Sequence, residues 1–156
     1  MRIVVLFAIA FVIYIMGLGF STNQLDQFYG TLPEEKTMSE QKKAEFWKKY
    51  DEHVSEKKSA FDKTDSYNFQ KSRVEEADKL IKGSPVMKES FEKYPDYAEQ
   101  TWDMSFDDLI KEIQPRWSSR NSDSLNEVHG TLMCIAMMEY RLRGLDMEYF
   151  TSGAGY

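Results

Sequence analysis

A chain of 156 residues with 20 basic and 26 acidic side chains carries a formal charge of −6. About 136 residues follow its apolar start, enough for one domain with a core, and their acidity argues against nucleic acid or anionic lipid headgroups as partners. The single cysteine, Cys134, allows no internal disulfide, so the fold must rest on burial of its 10 Phe, 9 Tyr, 3 Trp and 9 Met.

Residues 1–20, MRIVVLFAIAFVIYIMGLGF, have no charge from Ile3 to Phe20. As a helix, Ile3–Phe20 would reach roughly 27 Å at about 1.5 Å per residue, just short of a ~30 Å hydrocarbon core. The preferred reading is an uncleaved single-pass transmembrane anchor in the inner or plasma membrane. The alternative is a secretory signal with a short basic start at Arg2 and a small-x-small site at Gly17-Leu18-Gly19. Arg2 precedes the apolar run, whereas Ser21 to Glu35 contains Asp26, Glu34 and Glu35 without Lys or Arg. Cationic flanks stay cytoplasmic, so both readings put the body in the periplasm or outside the cell.

Residues 21–36 read as a polar tether broken by Gly30 and Pro33, in which Leu25, Phe28 and Tyr29 are available to dock on the membrane surface or on the body. Thr37-Met38-Ser39-Glu40 has capping-box spacing and opens a charged helix whose apolar stripe is Trp47, Tyr50, Val54 and Phe61, with Lys57 between. A break with a fresh cap is expected at Asp62–Asp65. The next helix turns Tyr67, Val74, Ala77 and Ile81 inward and stops at Gly83.

Ser84-Pro85 restarts a helix with Met87, Phe91 and Tyr94 on its apolar side. Tyr97, Ala98 and Trp102 mark a short helical piece within 96–104. Ser105 caps FDDLIKEI, with Phe106, Leu109, Ile110 and Ile113 as its buried side and Pro115 as its end. Trp117 to Asp123 reads as a loop, and Ser124-Leu125-Asn126-Glu127 as a second capping box. The helix after it runs to about Arg143, with Gly144 as terminator, and Leu132 to Met138 is apolar on every side, which places it at the bundle centre. Tyr149 and Phe150 pack back, and residues 151–156 form a flexible tail. No strand alternation is present. The expected fold is all-α: one N-terminal transmembrane or signal helix, then a bundle of about five helices over residues 37–150.

The most chemically suggestive spacing is His129, Met133 and Met137 on one stripe beside Cys134 and Met138, soft donors of the kind that hold Cu(I). Ligands at i and i+8 lie about 12 Å apart along a helix, so a methionine-rich core is the better reading, and no metal or cofactor is expected. Cys134 sits in an apolar run that favours a buried thiol, and its spacing from His129 turns the two apart. Asp107, Asp108 and Glu112 read as helix-start charges on a solvated face. His53, beside Val54, is expected to be a partly buried structural histidine. Gly155-Tyr156 is a weak candidate for carboxylate recognition. Trp47, Trp102 and Trp117, the last flanked by Arg116 and Arg120, are the candidate partner-binding residues, with core packing as the competing reading for each.

These readings converge on a non-enzymatic, membrane-anchored accessory or assembly subunit of a larger integral membrane complex, touching the bilayer through Ile3–Phe20. The alternative is a signal-cleaved, secreted acidic binder such as an inhibitor, immunity factor or chaperone-like adaptor. No nucleic acid is expected as a partner.

Overall fold

The computed structural model describes residues 24–61 and 68–151. Among these, eight helices and no strand are present: α1 Gln24–Tyr29, α2 Glu40–Phe61, α3 Asn68–Gly83, α4 Pro85–Lys93, α5 Pro95–Asp103, α6 Phe106–Ser118, α7 Glu127–Leu142 and α8 Glu148–Thr151. The body is an all-α bundle with more helices than the expected five: the breaks at Ser84-Pro85, Pro95 and Ser105 fall as the sequence places them, and α1 and α8 add short helices before and after the long ones. No described helix is long and apolar enough to cross a membrane. The apolar run 1–20, the break at Asp62–Asp65, Tyr67 and Gly155-Tyr156 lie outside the described residues.

α7 is the central element, packing against α3, α4, α5 and α6. Its all-round apolarity has a direct cause, since it serves two cores at once. Leu132, Ile135 and Leu142 enter a larger core with Phe46, Tyr50 and Val54 of α2, Val74, Ala77 and Ile81 of α3, Phe91 of α4 and Tyr97 and Ala98 of α5. Ala136 and Tyr140 enter a smaller one with Leu109, Ile110 and Ile113 of α6 and Phe150 of α8. Each fully buried Leu, Ile, Val or Phe contributes about 1.5–3 kcal/mol, so these two clusters hold the bundle together without a crosslink.

Several boundaries differ from the sequence expectation, each for a local reason. α2 is capped by Ser39, whose Oγ accepts from the Lys42 N–H at 3.4 Å, and not by Thr37. The Lys36 N–H donates to the Lys93 carbonyl at 2.8 Å, which ties the preceding backbone to the end of α4 and delays the helix. Likewise α7 is capped by Asn126, which accepts from the His129 N–H at 2.9 Å, because Ser124 is taken up in the turn closed by Leu125 N–H to Ser122 O. Gly83 takes no left-handed conformation. α3 ends because Ser84 is extended (φ −97°, ψ 118°) and caps α4 ahead of Pro85. Phe106, expected inside, is 44 % exposed at the first position of α6.

Gly144 does end the last long helix as expected, with φ +74°. A Cβ there would sit 2.7 Å from Gln70 Cβ and 3.1 Å from Phe61 Cζ. Gly144→Ala is therefore expected to cost about 1–3 kcal/mol from the left-handed backbone alone, plus the displacement of α3. Urea unfolding of the full chain followed by tryptophan fluorescence measures it, and an unchanged midpoint would contradict the close packing of this corner.

Candidate functional site

Pro115 explains why the segment before the bundle matters. It lies inside α6, which continues to Ser118 instead of ending there. A proline has no N–H for the carbonyl four residues back, so the Lys111 oxygen is orphaned. Tyr29 of α1 replaces the missing donor: its Oη donates to Lys111 O at 2.9 Å, with Glu112 O at 3.3 Å. Part of the expected tether is thus a short helix that completes the hydrogen bonding of the bundle.

Around this contact a polar cluster is assembled from four elements. Arg116, one turn beyond Glu112, is 1 % exposed. Its Nη1 donates to Glu112 Oε2 at 2.8 Å and Glu112 O at 2.6 Å, and lies 3.4 Å from Tyr97 Oη. Its Nε faces His129 Nδ1 at 3.2 Å, and the Tyr29 ring lies 3.8 Å from the guanidinium carbon. The His129 ring, with no exposed surface, meets Asp26 Oδ1 through Nε2. Because Nδ1 accepts from arginine, Nε2 carries the proton and donates it to Asp26. Tyr97 Oη donates to Glu112 Oε2 at 2.8 Å. Leu25 of α1 is buried. Arg116 and Glu112 pair as opposite charges, and Asp26, whose side chain keeps 27 % of its surface exposed, accepts the His129 Nε2–H, which is what permits their placement here.

Burial pushes the Tyr29 phenol up to about 12, against the Arg116 charge that lowers it. A phenol whose folded pKa is raised favours folding fully below about pH 10, and that contribution is lost as pH rises towards the folded value. Tyr29→Phe is expected to cost about 1 kcal/mol at neutral pH by re-orphaning the Lys111 carbonyl. It should also flatten the decline of stability between pH 10 and 12 relative to the parent chain. Urea midpoints at pH 7 and across that window test both, and identical curves for the two proteins would refute the substitute-donor role.

A second buried cluster sits at the other end of α7, ten residues and about 15 Å along the axis. Glu139, 1 % exposed, takes His53 Nε2 at 2.8 Å on Oε2 and Arg143 Nε at 2.8 Å on Oε1, with Lys57 Nζ at 3.9 Å. Arg143 Nη2 also donates to Thr101 O at 2.8 Å. The His53 ring stacks on Trp102, centroids 4.7 Å apart and planes at 15°. This cluster ties α2, α5 and α7 together, and His53, expected to be partly buried, is buried at 8 % exposure.

The remaining sequence candidates are dispersed. Trp47 is half-buried among Phe46, Tyr50 and Phe91, donates Nε1 to Glu92 at 2.9 Å, and has Lys88 Nζ over its ring at 5.9 Å. Trp102 is half-buried between Phe46 and His53. Trp117 packs in the smaller core, donates to Phe150 O at 3.0 Å, and carries the Arg120 guanidinium 4.3 Å above its ring. Of its two arginine neighbours, Arg120 is exposed and Arg116 faces inward.

His129, Met133 and Met137 do not converge on a common point. Both imidazole nitrogens of His129 are committed to protein partners, and Met137 joins the smaller core. Among the described residues no group of three or more His, Cys, Asp or Glu side chains is arranged to hold a metal ion. Cys134 is half-buried, and burial raises its thiol pKa, the opposite of nucleophile activation.

Asp107, Asp108 and Glu112 also separate. Asp108 accepts from Lys111 at 2.9 Å and Ser105 Oγ at 2.7 Å, and these bonds lower its pKa. Glu112 turns inward to Arg116. The buried roles of Asp26, Tyr97, Arg116 and Glu139 were missed in the sequence. Only the i, i+4 pairs Glu112–Arg116 and Glu139–Arg143 were visible there, and such pairs are ordinary on helix surfaces. Comparison with protein-family models, curated proteins and solved structures gives no significant match.

Proposed function

We propose that this chain is a non-enzymatic accessory or assembly subunit of a larger membrane protein complex, anchored by Ile3–Phe20, with its helical body on the periplasmic or external side. The observation that carries the reading is the docking of α1. Ser21, Thr22 and Asn23 separate the apolar run from this helix, which is bound to the bundle by Leu25, Asp26 and Tyr29. A body on a slack leash samples many orientations. One held by a buried ionic cluster within a few residues of its anchor presents the same side to neighbours in the membrane plane. Anchoring also raises the local concentration at a membrane partner, so that a modest interface suffices.

The side chains with chemical potential are engaged in packing: His53, His129, Arg116 and Glu139 pair with one another or with near neighbours. The half-buried rings of Trp47 with Lys88 and of Trp117 with Arg120 are aromatic–cation pairs offered to a partner.

Gentle detergent extraction of the native protein, native-size separation and mass spectrometry of comigrating chains test this function. Intact chain including Met1 in a large membrane assembly is the expected result. A small soluble species lacking the first twenty or so residues would overturn it in favour of the secreted binder.

A further inference from the structure

α1 has two sides of opposite chemistry. Leu25, Asp26 and Tyr29 face the bundle. Gln24, Gln27 and Phe28, at the three- and four-residue spacings that share one side of a helix, are exposed, Phe28 to 70 %. This outer side carries no charge. Asp26 is the only Asp, Glu, Lys or Arg between Ser21 and Pro33, and it is turned inward against His129. In a chain with 29 % charged residues, this face is uncharged and centred on an exposed phenylalanine; Phe69, another exposed aromatic, has the Arg73 guanidinium over its ring.

The position of this face decides what it meets. Phe28 is eight residues beyond Phe20, about 12 Å along a continuous helix and no more than ~28 Å in fully extended chain. With the apolar run inserted, α1 lies within that distance of the bilayer surface. There an aromatic ring gains from the boundary between headgroups and acyl chains, while glutamine amides remain hydrated.

We infer that α1 is an interfacial strut: Gln24, Gln27 and Phe28 rest in the headgroup region with the Phe28 ring inserted, and the inner side passes that orientation to the bundle through Tyr29, Arg116 and His129. This rests on the membrane-anchored reading above. The strut sets the tilt of the body on the membrane, and the docking of α1 makes that tilt a property of the whole domain.

The test uses the full chain carrying Phe28→Trp, incorporated in phosphatidylcholine vesicles with and without lipid brominated in its acyl chains. Trp47, Trp102 and Trp117 are present in the parent chain, so its emission is subtracted. The expected result is an added indole emission that is blue-shifted, loses most of its intensity in brominated vesicles and resists aqueous iodide. If the chain floats with the vesicles but the added emission is quenched by iodide and untouched by bromine, the strut is overturned and the anchor stands. If the parent chain itself fails to float with vesicles, the anchored reading fails and the strut with it.

Discussion

Ile135→Asp is expected to abolish cooperative unfolding of the body. Ile135 has no exposed surface and lies in the larger core, between residues contributed by α2, α3, α4 and α5. Removing its side chain alone costs about 2–5 kcal/mol as a large-to-small core change. Placing a carboxyl group there adds a desolvation penalty of several kcal/mol whether it ionises or takes up a proton. The sum approaches the 5–15 kcal/mol that typically separates folded from unfolded chains. Near-ultraviolet circular dichroism of the full chain should lose its tryptophan bands, and the thermal scan should show no sharp transition. A variant that melts like the parent would remove α7 from the centre of the bundle.

The second large effect is expected at Arg116. Arg116→Ala removes a buried cation from between Glu112, Tyr97, His129 and the Tyr29 ring. Breaking a buried pair from one side costs about 3–5 kcal/mol, because the partner charge is left uncompensated. A fall in melting temperature of roughly 10 °C or more corresponds to that loss in a domain of this size. Arg116→Lys should rescue little, since an ammonium cannot serve the Nε and Nη1 directions together.

Arg116 and Tyr29 touch within one cluster, so the Arg116 variant is coupled to Tyr29. Its loss should overlap with that of Tyr29→Phe, so the double variant should cost less than the two single changes added together. Strict additivity, or an Arg116→Ala chain that melts like the parent, would mean that α1 is not held through this cluster.

The burial of Ile135 was legible in the sequence, because an unbroken apolar run over two turns, set between a helix cap and Gly144, reads as a helix buried on every side. The same logic found the inward faces Tyr50–Val54, Val74–Ala77–Ile81 and Leu109–Ile110–Ile113, as well as the caps Ser84 and Ser105. Each depends on neighbours within a few residues, and periodicity and capping chemistry are local. Where the sequence reading chose the wrong cap, at Thr37 and Ser124, a tertiary bond or an adjoining turn had claimed the backbone first.

What only the tertiary structure decided was the fate of the polar residues. Asp26 and His129 are 103 positions apart, and His53 and Glu139 are 86 apart. No periodicity connects such pairs, and each residue alone looks like an ordinary surface charge or an isolated histidine. Pro115 is the clearest case. By itself it signals a helix end, because it removes a donor; the helix continues because a hydroxyl from Tyr29 supplies that donor across the fold. The sequence by itself determined an all-α body with an apolar central helix, since burial of apolar faces is written in spacing. The docking of α1 and the two buried ionic clusters belong to the tertiary structure, since a charge is buried only where a distant partner meets it.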